Sequence, residues 1–320
     1  VEISRHTMTR PADDPWPGYL AGRGHPGARR IGAGVEGVVY RLGEGRIAKV
    51  WTGRPPSELT RRVYADLARH ALPFATPEIL AVEEHRGVTV TYERELPGTP
   101  MRADSAHEEY ERELPVRLTD TLLSVLRGLA SVPGTDAMRR LTVQGDDRPL
   151  WEGHDRFQDA LAALVTRSVT RNGAALAARV PGFEAGVART LQALRSLPDG
   201  PVSVIHGDLV PPNIHVDGAG RPVAVLDFGF FTTAGDPAFD AAVTAAVCDM
   251  YGPHARRHTD GLTRLFAREL GHAPATLTAY QAAYALTTYD LFGADDGDGH
   301  FRWCAEQLRH NDVFGAGSAG

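Results

Sequence analysis

HGDLVPPN, residues 206–213, followed by LDFG at 226–229, is the stretch on which the reading of the whole chain turns. It sets Asp208, an asparagine five residues on (Asn213) and a second aspartate fourteen beyond that (Asp227) beside two short apolar runs. Those runs, Val202–Ile205 and Val223–Leu226, predict strands, and DGAG (217–220) between them predicts a turn. Asp208 can accept the proton of an attacking hydroxyl. The Asn213 carbonyl and the Asp227 carboxylate are hard oxygens of the kind that hold a divalent cation on nucleotide phosphates. Gly207 and Gly229 let the backbone turn beside these groups. HGD and DFG are common tripeptides singly; their conjunction beside two strands points to phosphoryl transfer.

Upstream, GAGVEG (32–37) supplies Gly32, Gly34 and Gly37. Gly-x-Gly-x-x-Gly has two physical uses: opening a helix in a dinucleotide fold, or folding over a nucleotide from a turn between strands. The residues around and after these glycines are β-branched, with runs at Val35–Leu42 and Arg46–Trp51 joined by GEG, so the hairpin use is expected. The second run carries Lys49. Of the 34 basic residues in the chain it is the sole lysine. Arginine and lysine exchange freely on solvated surfaces, whereas a compact ammonium fits between phosphate oxygens where a planar guanidinium does not. Lys49 is therefore expected at the phosphates, paired with a carboxylate on the next helix. Glu58 is the first choice for that partner and Asp66 the fallback.

The helix is announced by Pro55-Pro56-Ser57, with Ser57 as N-cap and Leu59, Val63 and Leu67 at helical spacing. EILAVEEHRGVTVTYERELPG (78–98) returns to strands around an EEHRG turn. Residues 108–200 read as helices, notably LTDTLLSVLRGLASV and GFEAGVARTLQALRSL, and 236–312 as helices again, with DDGDG (295–299) as a loop. The expected divisions are a loose extension over 1–28, a small lobe over 29–97, a larger lobe over 98–314 and a disordered tail over 315–320.

The 320 residues are ordinary for a globular protein, with 42% hydrophobic and 23% charged residues. Net charge is −6, yet residues 1–70 carry 12 basic against 7 acidic groups. That asymmetry suits an anionic ligand near the front of the chain. No clustered basic surface or high pI speaks for nucleic acid. The most apolar stretch, AFDAAVTAAVCDMYG, is short, carries two aspartates and predicts a buried helix, not a membrane span. Two isolated cysteines, Cys248 and Cys304, make no disulfide framework, and a cytoplasmic location is expected.

Taken together, these residues resemble the protein-kinase-like superfamily, and within it the aminoglycoside phosphotransferase and choline kinase branch, whose pattern is His-Gly-Asp-x-x-x-x-Asn followed by an aspartate-led motif. Gly207 stands where protein kinases have arginine, no Ala-Pro-Glu follows Asp227, and AGDPAFDAAV (234–243) resembles the Gly-Asp-Pro-x-x-Asp segment of the small-molecule kinases. The resemblance covers 30–98 loosely and 200–245 tightly. It implies an α+β, bilobal kinase-like fold with a small antiparallel-sheet N-lobe carrying one helix and a larger, mainly helical C-lobe. It also implies ATP or GTP with Mg2+, Lys49 on the α/β-phosphates, Asp208 as base, and Asn213 and Asp227 on the metal. TYERELPG (91–98) resembles the hinge that reads the purine edge, within Glu93, Glu95 and Leu96. His206, Asp236 and Asp240 are expected to brace the loop, and His215 to lie at the surface.

In this family the C-terminal helical region binds the acceptor. Asp290, Asp295, Asp296 and Asp298 are the candidates, and they would draw a cationic small molecule; a solvated acidic loop is the alternative. Phe301, Trp303 and Tyr289 are expected to pack the last helix. The expected activity is phosphorylation of a hydroxyl on an antibiotic-like molecule, a role in resistance or self-resistance that the arginine bias of an actinobacterial-type composition favours. The alternatives are a metabolic kinase for an amino alcohol, sugar or amino acid, a protein kinase, and a nucleotide-binding module without catalysis.

Overall fold

The computed structural model describes residues 14–34, 37–53, 55–102, 110 and 112–315. They fall into two compact units, the first running to Arg69 and resuming over Ala75–Pro97, the second comprising His70–Phe74 and everything from Gly98 onward.

The first unit contains α1 (Trp16–Gly22), β1 (Arg29–Ala33), β2 (Gly37–Gly43), β3 (Arg46–Trp51), α2 (Glu58–Leu67), β4 (Ile79–His85) and β5 (Val88–Arg94). Its strands form one antiparallel sheet in the order β1-β2-β3-β5-β4. Strand side chains alternate between faces. Tyr40, Ala48, Val50 and Val90 therefore share one face and make a buried core. Lys49, its register partners Val39 and Thr91, and Glu93 one diagonal step away lie on the other. As expected, Ser57 caps α2, its hydroxyl accepting from the Thr60 amide at 3.1 Å.

The loose extension expected over 1–28 is, from Trp16 on, an integral part of this unit; residues 1–13 lie outside the described ones. Leu20 of α1 is fully buried in the core with Tyr40, Ala48, Val50 and Val90. Tyr40 donates to Asp14 at 2.7 Å and Tyr19 to Glu83 at 2.8 Å, which ties the segment to the sheet. Trp16, Tyr19 and Leu20 have the i, i+3, i+4 spacing of a helix face, a signal masked by the surrounding proline and glycine.

The second unit holds β6 (Thr99–Pro100), α3 (Val116–Ala130), α4 (Asp136–Arg139), α5 (Phe157–Ala177), α6 (Phe183–Ser196), β7 (Ser203–Ile205), β8 (Ile214–Val216), β9 (Pro222–Val225) and β10 (Thr233–Gly235). It closes with α7 (Pro237–Val247), α8 (Ala255–Leu270), α9 (Pro274–Thr288), α10 (Gly299–His310) and α11 (Asp312–Gly315). α7 is buried throughout from Ala238 to Val247, as its apolar sequence requires. α7 and α5 both pack on α9. The expected tail over 315–320 falls outside the described residues beyond Gly315, which ends α11.

Candidate active site

Two hairpin-like pairings position the 206–227 segment. β8 and β9 are antiparallel with Ile214 opposite Val225, so Asn213 stands opposite Leu226 and the Leu226 amide donates to the Asn213 carbonyl at 2.8 Å. The next residue is Asp227, so Asn213 and Asp227, fourteen apart in sequence, leave the ends of one ladder side by side. The turn that makes this possible is held by Asp217, whose Oδ1 accepts from the Ala219 and Arg221 amides at 2.9 and 3.0 Å. β7 and β10 form the second pairing, with Ile205 opposite Thr233, and deliver His206 into the loop.

Within that loop Asn213 ties back to Asp208. The Asn213 side-chain amide donates to the Asp208 backbone carbonyl at 2.9 Å and, at 3.4 Å, to Asp208 Oδ2. Its donors turned this way, Asn213 presents Oδ1 as an acceptor. Asp227 is exposed and holds φ 58°, left-handed backbone that a non-glycine residue seldom adopts. Strain of this kind collects where a side chain is aimed for function. Asn213 Oδ1 and the Asp227 carboxylate together supply hard oxygens suited to a divalent cation.

His206 is a scaffold group, as expected. Its ring Nε2 lies 2.7 Å from the Leu226 carbonyl, which can only accept, so Nε2 carries the proton and Nδ1 accepts from the Asp208 amide at 3.2 Å. Burial pushes this imidazole down to about 4. Asp240, in the first turn of α7, braces the same loop: its Oδ2 accepts from the His206 amide at 2.8 Å and its Oδ1 from the Gly207 amide at 2.7 Å. Asp236 caps α7 through the Ala238 amide and accepts from the Tyr280 hydroxyl at 2.8 Å.

Gly207 has φ 74°, and a Cβ there would lie 2.4 Å from Cβ of Phe231. Gly207→Ala is therefore expected to lower stability by about 3 kcal/mol through left-handed strain and overpacking. A denaturation midpoint equal to the parent's would show that the loop needs no glycine.

On the first unit, Lys49 Nζ lies 3.9 Å from the Trp51 ring centroid. Trp51 donates to Thr91 Oγ1 at 3.0 Å, and the Thr91 hydroxyl donates to Glu93 at 2.5 Å. Both carboxylates expected to partner Lys49 are engaged by arginines instead. Glu58 faces solvent and pairs with Arg61 at 3.0 Å, and Asp66 pairs with Arg69 at 3.0 Å. Both are i,i+3 pairs within or just beyond α2, available because the helix carries arginine one turn on. Gly37 is required by packing: a Cβ would meet the Val50 carbonyl oxygen at 2.1 Å, whereas Gly32 and Gly34 have open space. Val35 and Glu36 of the same loop lie outside the described residues. In the expected hinge, the Glu95 amide donates to the Gly45 carbonyl at 2.7 Å and the Glu95 carboxylate pairs with Arg41. Glu93 ends up on the sheet face of Lys49. Leu96 follows β5 before Pro97.

The acidic loop is not a free anionic surface. Asp290 accepts from Arg171 at 3.2 Å and from Asn172 at 2.7 Å, and Asp296 pairs with Arg179. Asp295 takes the Gly297 amide at 2.7 Å, and Asp298 caps α10 through the His300 amide at 3.0 Å. What the sequence did not reveal is Tyr284 of α9. It is almost wholly buried, and its phenol is pushed far up by burial and then by the charge of Asp208, which puts its ring end within electrostatic reach of the 206–213 loop. The i,i+4 pair Tyr280/Tyr284 was the signal available for it.

No curated protein sequence matches the chain. Solved structures of similar fold include a thermostable mutant of aminoglycoside phosphotransferase APH(4)-Ia in ternary complex with ADP and hygromycin B, 19% identical over 96% of this chain and 100% of that one, TM-score 0.63. Macrolide 2'-phosphotransferase MphH from Brachybacterium faecium is 21% identical over 91% of this chain and 97% of that one, TM-score 0.56. The GDP complex of aminoglycoside 2'-phosphotransferase-IIIa is 14% identical over 90% of each chain, TM-score 0.55. These likenesses establish the kinase-like fold, with its antiparallel sheet and helical C-terminal region. The model of the phosphotransferase enzyme family, APH, matches residues 27–292, a span that takes in Lys49 and the whole 206–227 segment, and the chain belongs to that family of phosphotransferases.

Proposed function

We propose that the protein transfers the γ-phosphoryl group of ATP or GTP to a hydroxyl of an antibiotic-like small molecule, with Mg2+. The observation that carries this reading is the β8–β9 register, which sets Asn213 beside Asp227 while the Asn213 amide ties back to Asp208. Asp208 takes the proton as the acceptor oxygen bonds to phosphorus and the bond from phosphorus to the β,γ-bridging oxygen breaks, releasing the nucleoside diphosphate. Asn213 and Asp227 would hold the cation, which when bound draws charge off the phosphates. Among the described residues no group of three His, Cys, Asp or Glu could hold a metal alone, and two protein oxygens completed by phosphates is the arrangement magnesium takes. Lys49 contributes a point charge at the phosphates. Relatives of similar fold were solved with ADP, AMP-PNP or GDP, which supports a purine nucleotide as donor.

The test is nucleotide consumption, with ATP and GTP in turn, across antibiotics, amino alcohols, sugars and a generic protein. Mass detection should find one phosphoryl group gained by a small molecule. Phosphate gained by the protein substrate alone would replace this reading with a protein kinase. No helix among the described residues is long and apolar enough to cross a membrane.

A further inference from the structure

The ammonium of Lys49 rests on an aromatic ring whose own orientation is fixed. Trp51 stands two residues further along β3, so both side chains leave the same face of the sheet. Lys49 Nζ lies 3.9 Å from the Trp51 ring centroid. That is well within the range at which an aromatic face attracts a cation, and tryptophan is the strongest of the aromatics for it. Thr91 stands opposite Lys49 in β5, diagonally from Trp51 and within reach of a long side chain. The indole Nε1–H donates to Thr91 Oγ1 at 3.0 Å, and the Thr91 hydroxyl donates to Glu93 at 2.5 Å. Thr91 is fully buried. Its one proton and one of its lone pairs are thus both committed, and the edge of the ring is pinned. Across the hairpin Trp51 pairs with Gly37, the last glycine of GAGVEG. The glycine, the tryptophan and the lysine therefore share one strip of sheet.

A lysine stem has many rotamers, and freezing them when an anion arrives lowers affinity. On α2 the two carboxylates that could have held the stem, Glu58 and Asp66, are engaged by Arg61 and Arg69. A ring face restrains the ammonium differently from a carboxylate. It attracts through its quadrupole and carries no net charge, so the full positive charge stays available to phosphate.

We propose that Trp51 is the positioning residue of Lys49, its ring pinned by Thr91 and holding the ammonium ready for the phosphates of a nucleotide. This rests on the phosphate role given to Lys49.

The experiment titrates the intact protein, with Mg2+, against AMP-PNP and GMP-PNP, and follows the tighter of the two beside its nucleoside, adenosine or guanosine. Trp51→Leu is expected to raise Kd for the triphosphate about tenfold. Trp51→Phe keeps an aromatic face and should raise it less. Thr91→Val unpins the ring at nearly constant volume and should also weaken binding. Nucleoside affinity should stay as it was in all three. In a Lys49→Met background, adding Trp51→Leu should change nothing further, because the ring acts only through the ammonium. Should Trp51→Leu fail to fold, Trp51→Phe and Thr91→Val carry the same comparison.

Parental Kd in the Trp51 and Thr91 variants, with Lys49→Met weakened, overturns the inference and leaves Lys49 at the phosphates. An equal loss of nucleoside affinity overturns it too, as does a Trp51 effect that persists in Lys49→Met. Parental affinity in Lys49→Met removes the role of Lys49 and the inference with it. Turnover still lost in Asp208→Asn would then leave the phosphotransferase reading standing.

Discussion

Asp208→Asn is expected to lower turnover by about 10²–10⁴-fold while leaving nucleotide binding nearly as it was. The substitution is isosteric, so the effect isolates chemistry from structure. The Asn213 amide bonds the backbone carbonyl of residue 208 at 2.9 Å, and the residue-208 amide bonds His206 Nδ1 at 3.2 Å; the longer 3.4 Å contact of the Asn213 amide to Oδ2 can be kept by the side-chain oxygen of the asparagine. The loop should therefore keep its shape while losing the group placed to take the acceptor proton. Steady-state kinetics with the first acceptor found, alongside nucleotide titration, checks both halves. Parental turnover would remove Asp208 from the role of base.

Asp240→Ala is expected to cost about 4 kcal/mol of stability, because it strands the His206 and Gly207 amides, each worth about 1–3 kcal/mol when buried without an acceptor. The variant also carries a pH signature. Burial pushes the Asp240 carboxyl up to about 7, against the pull of its two amide donors. An unfolded aspartate ionises at lower pH, so this group's contribution is fullest in acid and is lost as pH rises toward 7. His206, pushed down to about 4, runs the other way. The unfolded imidazole protonates first, so its contribution is present above about pH 6.5 and is lost as pH falls toward 4. In the parent the two slopes oppose each other; in Asp240→Ala only that of His206 remains. Denaturant unfolding of the variant should show stability rising from about pH 4 to 6.5. A variant as stable as the parent, with no such slope, would show that Asp240 does not hold the loop.

The parts of the site legible in the sequence are those fixed by local spacing. Asp208, Asn213 and Asp227 lie on one strand–turn–strand segment, so their meeting follows from the β8–β9 register. Lys49 stands out because arginine fills every other basic position. Partner choice is not legible in the same way. In sequence, Glu58, Asp66, Asp290 and Asp296 look free to bind ligand or lysine, yet each is taken by an arginine nearby in space. A chain with so many guanidinium groups can answer most carboxylates at short range, and only tertiary structure says which. The bounds of α5 are hidden for a related reason: it packs against both α6 and α9, which blurs the one-sided apolar stripe that marks a surface helix. β1 and the docking of α1 are hidden by glycine, arginine and proline, though Leu20 ends in the core of the first unit.

The destination of the γ-phosphate is the most direct test of the catalytic role given to Asp208. Phosphorus NMR of the protein with nucleotide, magnesium and the first acceptor found should show the γ resonance replaced by a phosphomonoester on the small molecule, and no such signal with Asp208→Asn. Nucleotide hydrolysed only to inorganic phosphate, or an ester formed equally well without the Asp208 carboxylate, would contradict it.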